Sequence, residues 1–186
     1  MDPSDKAHCT TIAQDQWTWF QSSGLINDDN LINDGLEYNC TNTGLRTVWS
    51  YNEGVILLSG LVELNRASPD QSIIDSANVL AKAAIANLTD SNHIVHDVCE
   101  PNCFPDQTQF KGIFIRNLVL LQQEPPCDLY KTVITANAES IWSHDRVTKN
   151  NTFSVDWSGP VVGKVNAIIS SSALDGLIGA ISVTQQ

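Results

Sequence analysis

The sequence is poor in basic side chains, because ten Lys and Arg stand against 21 Asp and Glu and give a formal net charge of −11. Nucleic-acid phosphates and anionic lipid surfaces both attract Lys and Arg, so we expect neither as a partner. A neutral ligand such as a sugar fits this charge better. An acidic surface also has the general effect of keeping a protein soluble.

Long apolar runs are also missing. No stretch reaches the roughly 18 consecutive apolar residues of a membrane span, so we expect no such span. The first residues lack the apolar run of a signal peptide, and the last residues lack a lipid-anchor tail. The 186 residues, 42% hydrophobic and 17% charged, have the composition of one globular domain, which we expect to comprise residues 1–186.

The five cysteines are an odd number, so at least one is unpaired or has its partner outside this chain. Cys99 and Cys103 share a short loop, which fits a disulfide bond, with free thiols as the alternative. A metal site is least favoured because no second Cys or His pair follows at ligand spacing, and we predict no cofactor. Glycosylation sequons begin at Asn39, Asn87 and Asn150 and are weak evidence for secretion.

Apolar residues recur at helical spacing, and period-two alternation hardly occurs. The predicted helices span residues 10–23, 52–67, 71–88, 109–121, 128–144 and 165–183. The first, third and fifth are amphipathic, whereas the others are apolar nearly all round. A helix apolar all round needs neighbours on every side. The alternation therefore predicts an all-α fold with two concentric layers of antiparallel helix pairs, in which outer amphipathic helices surround inner buried ones.

Polar and aromatic residues precede each apolar helix, in "WSYNEG", "QFK" and "VDWSGP". A faint repeat places Gly54, Gly112 and Ser170 at one constant offset near these three helix starts. Inner helices of a ring begin at the same end, so we expect the three segments to line one central bowl. Aromatic faces beside amide, carboxylate and guanidinium groups are what a sugar requires.

Each of these residues also has a plain structural interpretation. Asn52 can cap its helix, Trp49 and Trp157 can be packing residues, and Lys111 can be solvated. Arg116 is harder to explain this way, because a guanidinium buried in an apolar helix needs a carboxylate or a ligand. The histidines are expected on the surface or in loops.

Six stretches in this order resemble glycoside hydrolase family 76, the endo-α-1,6-mannanases of fungi and bacteria. They are "WFQSSGLINDDNLINDGL", "WSYNEGVILLSGLVEL", "LTDSNHIVHDVCEPNC", "QFKGIFIRN", "ANAESIWSHDR" and "WSGP", between residues 17 and 172. The resemblance implies an (α/α)6 toroid, an extracellular or cell-wall location, and hydrolysis or transfer on α-1,6-linked mannan. That polysaccharide is the partner we expect.

The family toroid needs about twice as many helices as the six predicted here, so the chain is similar to the C-terminal half of the family domain and reads as a truncated copy. The family's catalytic pair, two adjacent aspartates followed shortly by a tryptophan on a helix, belongs to the other half. The pair Asp28-Asp29 lies in an "NDDN" loop with no tryptophan after it. We therefore assign no catalytic residue, which leaves enzymatic activity uncertain.

The resemblance and the helix starts together predict a set of substrate-binding residues. They are Asp34, Tyr51, Asn52, Glu53, Lys111, Arg116 and Trp157. Asp34 matches a family position near the site and is expected to support it. Glu53 replaces the glutamine of the family's usual Tyr-Asn-Gln-Gly, which predicts a charge in the bowl. Glycoside hydrolysis needs two carboxyl groups, and we assign neither role to Asp34, Glu53 or Asp156.

Three functional hypotheses follow. The first is an α-1,6-mannanase whose half ring is inactive alone and exposes apolar inner faces. The second is a non-catalytic mannan-binding module, either monomeric or paired with itself into a ring. The third is a structural remnant with neither activity nor affinity.

Overall fold

The computed structural model describes residues 3–42, 47–54 and 59–185, and it confirms the all-α class. These ranges contain α1 (Pro3–Ser22), α2 (Ser50–Asn52), α3 (Gly60–Ala67), α4 (Gln71–Leu88), α5 (Phe110–Gln122), α6 (Asp128–Ser143) and α7 (Ala167–Thr184). One short antiparallel hairpin joins β1 (Arg146–Val147) to β2 (Thr152–Phe153). Two-residue strands are too short for an alternating pattern, so the sequence did not predict them.

The predicted helices agree with the observed ones to within one or two residues at most ends. The third prediction, residues 71–88, matches α4 at both ends. Asp70 explains the start of α4, because its side chain accepts the Ser72 N–H and satisfies one free donor of the first turn. By contrast, α1 begins at Pro3, seven residues before the predicted start.

The predicted helix 52–67 is not one uniform helix. The short α2 is followed by π-helical geometry at Glu53 and Gly54, and Ser59 has the same geometry just before α3 begins at Gly60. Residues 55–58, in the middle of the prediction, lie outside the described residues. A π-type turn re-aims the side chains near it and often occurs beside functional sites.

The helices form two rows. In the inner row, α5 packs on α2 and on α7. In the outer row, α1 and α4 pack on α3, and α6 packs on α5 and α7. Phe114, Ile115 and Leu118 of α5 are fully buried between the rows. This arrangement agrees with the predicted alternation of outer and inner helices.

Two glycines set the distance between neighbouring inner helices. A Cβ atom on Gly54 would lie 2.8 Å from the Cα of Phe114, and one on Gly112 would lie 2.7 Å from the Cα of Ser172. Both distances are shorter than a carbon–carbon contact allows, so each helix start approaches the backbone of the next one. These are the first two positions of the faint sequence repeat, so that repeat reflects a repeated packing contact.

One side of α7 does not have the burial expected of an inner helix. Leu174, Ile178 and Ile181 are 47%, 58% and 55% exposed, although the opposite side of α7 packs on α5 and α6. Among the described residues, α7 is also the one helix that is long and apolar enough to cross a membrane by length and composition. The core helix of a soluble protein can have the same length and composition, so the expected absence of a membrane span stays a prediction.

Replacing Gly112 with alanine tests the close contact between α5 and α7. Helix propensity alone would favour alanine by up to about 1 kcal/mol. The added methyl group must, however, displace the backbone of Ser172, and overpacking costs about 1–3 kcal/mol. We expect Gly112→Ala to lower the free energy of unfolding, measured by urea denaturation.

Gly35→Ala is the matched control, because nothing lies within 4 Å of its added methyl group. Its expected change is within about 0.5 kcal/mol. Equal effects of the two substitutions would contradict the packing argument.

Candidate functional site

Asp34 is the centre of a polar cluster at the start of the inner row. Its Oδ1 accepts hydrogen bonds from the Tyr51 hydroxyl at 3.1 Å and from the Asn52 side-chain amide at 3.3 Å. Asp34 itself is exposed, and its backbone N–H donates to the Thr47 carbonyl at 2.9 Å. Partial burial, followed by the nearby Asp34 carboxylate, raises the pKa of Tyr51, so its hydroxyl remains a donor. The buried Asn52 amide and the half-buried Tyr51 hydroxyl therefore hold the Asp34 carboxylate at a solvent-facing edge.

Phe110 supplies an aromatic surface beside this cluster. Its ring centroid lies 4.2 Å from that of Tyr51 and 5.5 Å from that of Trp49. These contacts join the segment before α2 to the first residue of α5. The structure thereby brings together two of the three helix starts that the sequence assigned to one bowl.

Glu53 lies directly under the cluster and is only 1% exposed. Its Oε1 accepts the Ile32 backbone N–H at 2.7 Å, and its Oε2 has no hydrogen-bond partner among the described residues. Burial raises the pKa of Glu53 to about 8, although the bond from Ile32 opposes the shift. The sequence predicted a charge in the bowl, but with this pKa the protonated form of Glu53 predominates at neutral pH. The protonated carboxyl takes the place of a neutral amide.

Lys111 connects the second and third helix starts. Its buried ammonium donates to the Val155 carbonyl at 2.6 Å, forms an ion pair with Glu100, and lies 4.6 Å from the centroid of the Trp157 ring. A buried charge is tolerated only when such partners replace the lost water. The structure thus places Lys111 beside Trp157, another of the predicted substrate-binding residues, and it excludes the alternative of a solvated lysine.

Glu100 continues the network toward the surface. His96 Nδ1 donates to Glu100 Oε2 at 2.7 Å, and His96 Nε2 lies 3.1 Å from the Ser158 hydroxyl. The bond to Glu100 raises the pKa of His96. Burial alone would raise the pKa of Glu100, but its partners His96 and Lys111 outweigh burial and lower it. Glu100 is therefore the anion that balances the lysine.

A disulfide bond joins Cys99 to Cys103 and closes the loop that carries Glu100. Three cysteines in the described residues remain free: Cys9, Cys40 and Cys127. His96, Glu100 and Asp156 could hold a metal ion by distance alone, since their ligand atoms lie within 4.8 Å of one another. The Lys111 ammonium already occupies one side of Glu100, so the donor set does not favour an added cation.

Two buried aspartates fix the loops around the network. Asp97 accepts from the backbone N–H and the hydroxyl of Ser50, and Asp145 does the same for Ser154. Burial raises the pKa of both carboxyls, that of Asp145 to about 6, while the serine bonds oppose the shift. Asp97 ties the loop after α4 to the start of α2, whereas Asp145 holds the residue that follows β2 in the same hairpin.

Two predicted site residues differ from expectation in their exposure. Arg116 is not buried: its side chain is 59% exposed, and Nη1 lies 3.4 Å from Oδ2 of Asp175 on α7. The carboxylate partner that the sequence suggested is therefore present, but at the exposed edge between α5 and α7. Trp157 is only 1% exposed, so its ring supports Lys111 and leaves little surface for a ligand.

Sequence reasoning missed the part of the site built by His96, Asp97 and Glu100. His96 was expected as an ordinary loop histidine. One signal was present, because three ionisable residues flank Cys99 in the loop that leads to α5. Their roles depend on Lys111 and Ser50, which are distant in sequence, and no local pattern shows that contact.

Comparison with known protein families shows which family this chain belongs to. The model of glycosyl hydrolase family 76 matches residues 4–182. The chain belongs to this family. No curated protein matches the family 76 chain at a significant level.

Several solved structures share the fold. The Lin0763 protein of Listeria innocua superposes with a TM-score of 0.77 at 22% identity, over 92% of this chain and 48% of its own. An inactive α-1,6-mannanase variant from a Salegentibacter species, with two consecutive aspartates replaced, was solved with α-1,6-mannotetrose. It superposes with a TM-score of 0.70 at 18% identity, over 98% of this chain and 53% of its own.

Dfg5 from Chaetomium thermophilum, solved with glucosamine, superposes with a TM-score of 0.74 at 21% identity, over 91% of this chain and 43% of its own. This family 76 chain thus spans about half the length of the solved structures it matches.

Glu53→Gln tests whether the buried carboxyl is uncharged. The folded state holds this proton more tightly than the unfolded state, whose pKa is near 4.5. The resulting stability is full below that value and is lost as pH rises to about 8. A glutamine stays neutral throughout, so Glu53→Gln matches the parent near pH 4.5 and exceeds it above pH 8 by on the order of 5 kcal/mol.

Urea unfolding of both proteins from pH 4.5 to 9 measures this difference. Other titrating groups contribute equally to the two curves and cancel. A stability difference that does not change with pH would mean that Glu53 is ionised in the folded protein.

Lys111→Met tests the buried ion pair. The substitution keeps most of the side-chain volume but leaves Glu100 as a buried charge that retains only His96. Breaking a buried pair in this way costs about 3–5 kcal/mol. The exposed Lys82 on α4 is the matched control, and Lys82→Met should change the free energy of unfolding by less than about 0.5 kcal/mol. Similar small effects of both substitutions would show that Lys111 does not hold the loops before α5 and α7 together.

Proposed function

We propose that this chain carries the mannan-binding half of a family 76 site. The single observation that supports this function is the cluster of Asp34, Tyr51 and Asn52 beside Phe110. Its groups combine a carboxylate, a phenol and an amide with an aromatic surface, which suit sugar hydroxyls and the apolar C–H face of a sugar ring. The α-1,6-mannotetrose found with a mannanase of the same fold supports mannan as the ligand.

In the proposed complex, Asp34 is the main acceptor for sugar hydroxyls. Tyr51 and Asn52 hold its Oδ1, so the carboxylate keeps one orientation and its other oxygen faces the ligand. Phe110 and Tyr51 provide the ring surface. Three buried residues support the site by fixing the positions of the helix starts: Glu53, Lys111 and Trp157. Arg116 lies one turn further along α5, at the edge of the site.

Hydrolysis or transfer on α-1,6-linked mannan is the activity we propose for a complete family 76 site. The reaction needs an acid and a second carboxyl group. Asp28 and Asp29 lie in an exposed turn, and Glu53 is buried, so neither position offers a placed pair at this cluster. The mannanase variant made inactive by replacing two consecutive aspartates supports an adjacent pair as the catalytic group. We therefore propose that this half binds mannan and that cleavage requires the complementary half.

An extracellular or cell-wall location completes the proposal. The three sequon asparagines, Asn39, Asn87 and Asn150, are all exposed and so are accessible to glycosylation. A disulfide at Cys99 and Cys103 fits an oxidising compartment. The fungal cell wall, whose mannan carries α-1,6 linkages, is the setting we propose for this chain.

Titration of the purified chain with α-1,6-mannotetraose tests the binding function. We expect saturable binding in calorimetry, and a loss of at least tenfold in affinity, or about 1.4 kcal/mol, for Tyr51→Ala. Asp34→Asn should weaken binding to a similar degree, because the amide cannot accept at both positions. Tyr38→Ala is the control, since Tyr38 is fully exposed and takes part in none of the contacts described for this cluster.

A reducing-end assay on linear α-1,6-mannan, run on the same samples, tests the catalytic part. We expect no release by this chain alone. Release would mean that this half contains its own carboxylate pair. A folded chain that neither binds nor cleaves would overturn the proposed function and favour a structural remnant.

A further inference from the structure

The loop of residues 96–100 holds the two helix starts that carry the polar cluster. Asp97 accepts from the backbone N–H and the hydroxyl of Ser50, at the start of α2. Glu100 forms the ion pair with Lys111, at the start of α5. Both helix starts therefore take their positions from one loop, and whatever fixes this loop also fixes the cluster.

His96 joins the outer side of this loop to two neighbouring segments. Its Nδ1 bonds to Oε2 of Glu100 at 2.7 Å, within the loop. Its Nε2 lies 3.1 Å from the hydroxyl of Ser158, in the loop before α7, and 3.8 Å from Oδ2 of Asp90, in the turn after α4. The side chain of His96 is 34% exposed, so the ring exchanges protons with solvent. One imidazole thus connects three segments.

Carboxylates predominate around His96. Glu100 and Asp90 face its two ring nitrogens, and one ligand atom each of His96, Glu100 and Asp156 lie within 4.8 Å of one another. The hydrogen bond to Glu100 is the largest cause that raises the pKa of His96, whereas burial and the ammonium of Lys111 oppose the shift. The surroundings as a whole therefore favour the imidazolium.

Further ionisable groups near His96 lie on its own loop and on α6. Asp97 is the next residue of the loop, and Ser50 already occupies its carboxylate. Glu139 and His144 line a cavity of about 440 Å³ beside Ser158. Both are exposed, so solvent screens their effect on the imidazole.

Ser158, His96 and Glu100 also follow the order of a hydrolase relay, in which a carboxylate orients a histidine that activates a serine. Such chemistry needs hydrogen-bond donors for the developing oxyanion. The backbone N–H groups of Ser158 and Gly159 both donate to Asp156, so neither is available for that role. The arrangement instead fits a charged contact between segments.

We infer that His96 is a pH-sensitive clamp, whose imidazolium form joins the loop of residues 96–100 to the turn after α4 and to the loop before α7. The imidazolium has two N–H groups and can direct one to Glu100 and the other toward Asp90 and Ser158. A neutral ring keeps only one N–H group, so loss of the proton weakens the outer contacts. The polar cluster is therefore held most firmly in mildly acidic solution. The clamp is a property of the fold, and only its effect on sugar binding rests on the proposed function.

The direction of the pKa shift determines where the clamp contributes to stability. The folded state binds the proton of His96 more tightly than the unfolded state, whose pKa is near 6.5. The contribution is therefore complete below pH 6.5 and is lost as pH rises through the pKa of the folded state.

A proton NMR titration of the purified chain from pH 5 to 8.5 measures the pKa of His96. His96→Asn identifies its resonance among the four histidines. We expect a pKa above 6.5, and a lower value in Asp90→Asn, which removes one carboxylate but keeps an oxygen for the N–H groups of the turn. A pKa at or below 6.5, or an unchanged pKa in Asp90→Asn, would overturn the inference.

Urea unfolding over the same pH range measures the contribution to stability. His96→Asn keeps an N–H group for Glu100 but cannot gain a proton. The ratio of its unfolding constant to that of the parent should be largest near pH 5, and should fall tenfold for each unit by which the folded pKa exceeds 6.5. Glu53 is present in both proteins, so its titration cancels in the ratio.

His8→Asn is the matched control, because His8 is exposed on α1 and its replacement should leave the pH dependence of the parent unchanged. Circular dichroism establishes that each variant is folded. If the ratio for His96→Asn is the same at every pH, the clamp does not exist.

Calorimetry with α-1,6-mannotetraose measures the effect on the site. Between pH 5.5 and 8 we expect the affinity of the parent to fall at least threefold more than that of His96→Asn. Equal pH dependence of the two proteins would overturn the inferred effect on the site. A chain that shows no binding at any pH would overturn the proposed function instead, and the titration and unfolding results would still decide the clamp.

Discussion

The ammonium group of Lys111 is the interaction on which the candidate site depends. A charge removed from water costs several kcal/mol unless its surroundings replace the lost hydration. Here Glu100 supplies the counter-charge, Val155 a carbonyl and Trp157 the face of an aromatic ring. These three partners belong to different segments, so satisfying one charge fixes the loop before α5, the start of α5 and the loop before α7 relative to each other.

Glu53 avoids the cost of a buried charge in a different way, by holding a proton. Lys111 has the Glu100 carboxylate as its partner, whereas no cation among the described residues offsets the burial of Glu53, which raises its pKa to about 8. The neutral carboxyl still accepts the Ile32 N–H and so holds the loop that carries Asp34. The polar cluster around Asp34 is therefore supported by one buried ion pair and one buried, mostly protonated acid. That support keeps Asp34, Tyr51 and Asn52 in fixed positions before any ligand arrives.

Much of this fold can be predicted from local sequence, because apolar periodicity and capping act within a few residues. The boundaries of α4 follow from the Asp70 cap and the helical spacing of Ile73, Ile74 and Ala77. The aromatic and polar character of the helix starts also indicated a site at residues 49–54 and 109–111. The exposure of Arg116 and the protonation of Glu53 were not predictable, because both depend on which helices lie next to them. A periodic pattern shows that a helix has an apolar side, but it does not show what covers that side.

The sequence did not predict the network around Glu100, for a related reason. Its members are ordinary residue types, and only the distances from His96 and Lys111 to Glu100 make them a network. The disulfide between Cys99 and Cys103 restrains the loop between its two cysteines and so limits the positions available to Glu100. This restraint lowers the entropy cost of forming the buried ion pair, because a loop that is already restrained loses less conformational freedom.

The surfaces at the two ends of the inner row follow from a repeated unit. Each inner helix has one side shaped for the preceding helix and one shaped for the following helix, as the contacts of Gly54 and Gly112 show for α5 and α7. A unit that repeats in this way cannot cover its own ends, and terminal units of repeat folds need a different, polar outer side to remain soluble. α7 has no such polar side, because Leu174, Ile178 and Ile181 continue the apolar pattern. The composition of α7 is thus that of an interior helix with a neighbour on both sides, and the same reasoning explains the exposed Trp19 at the opposite end.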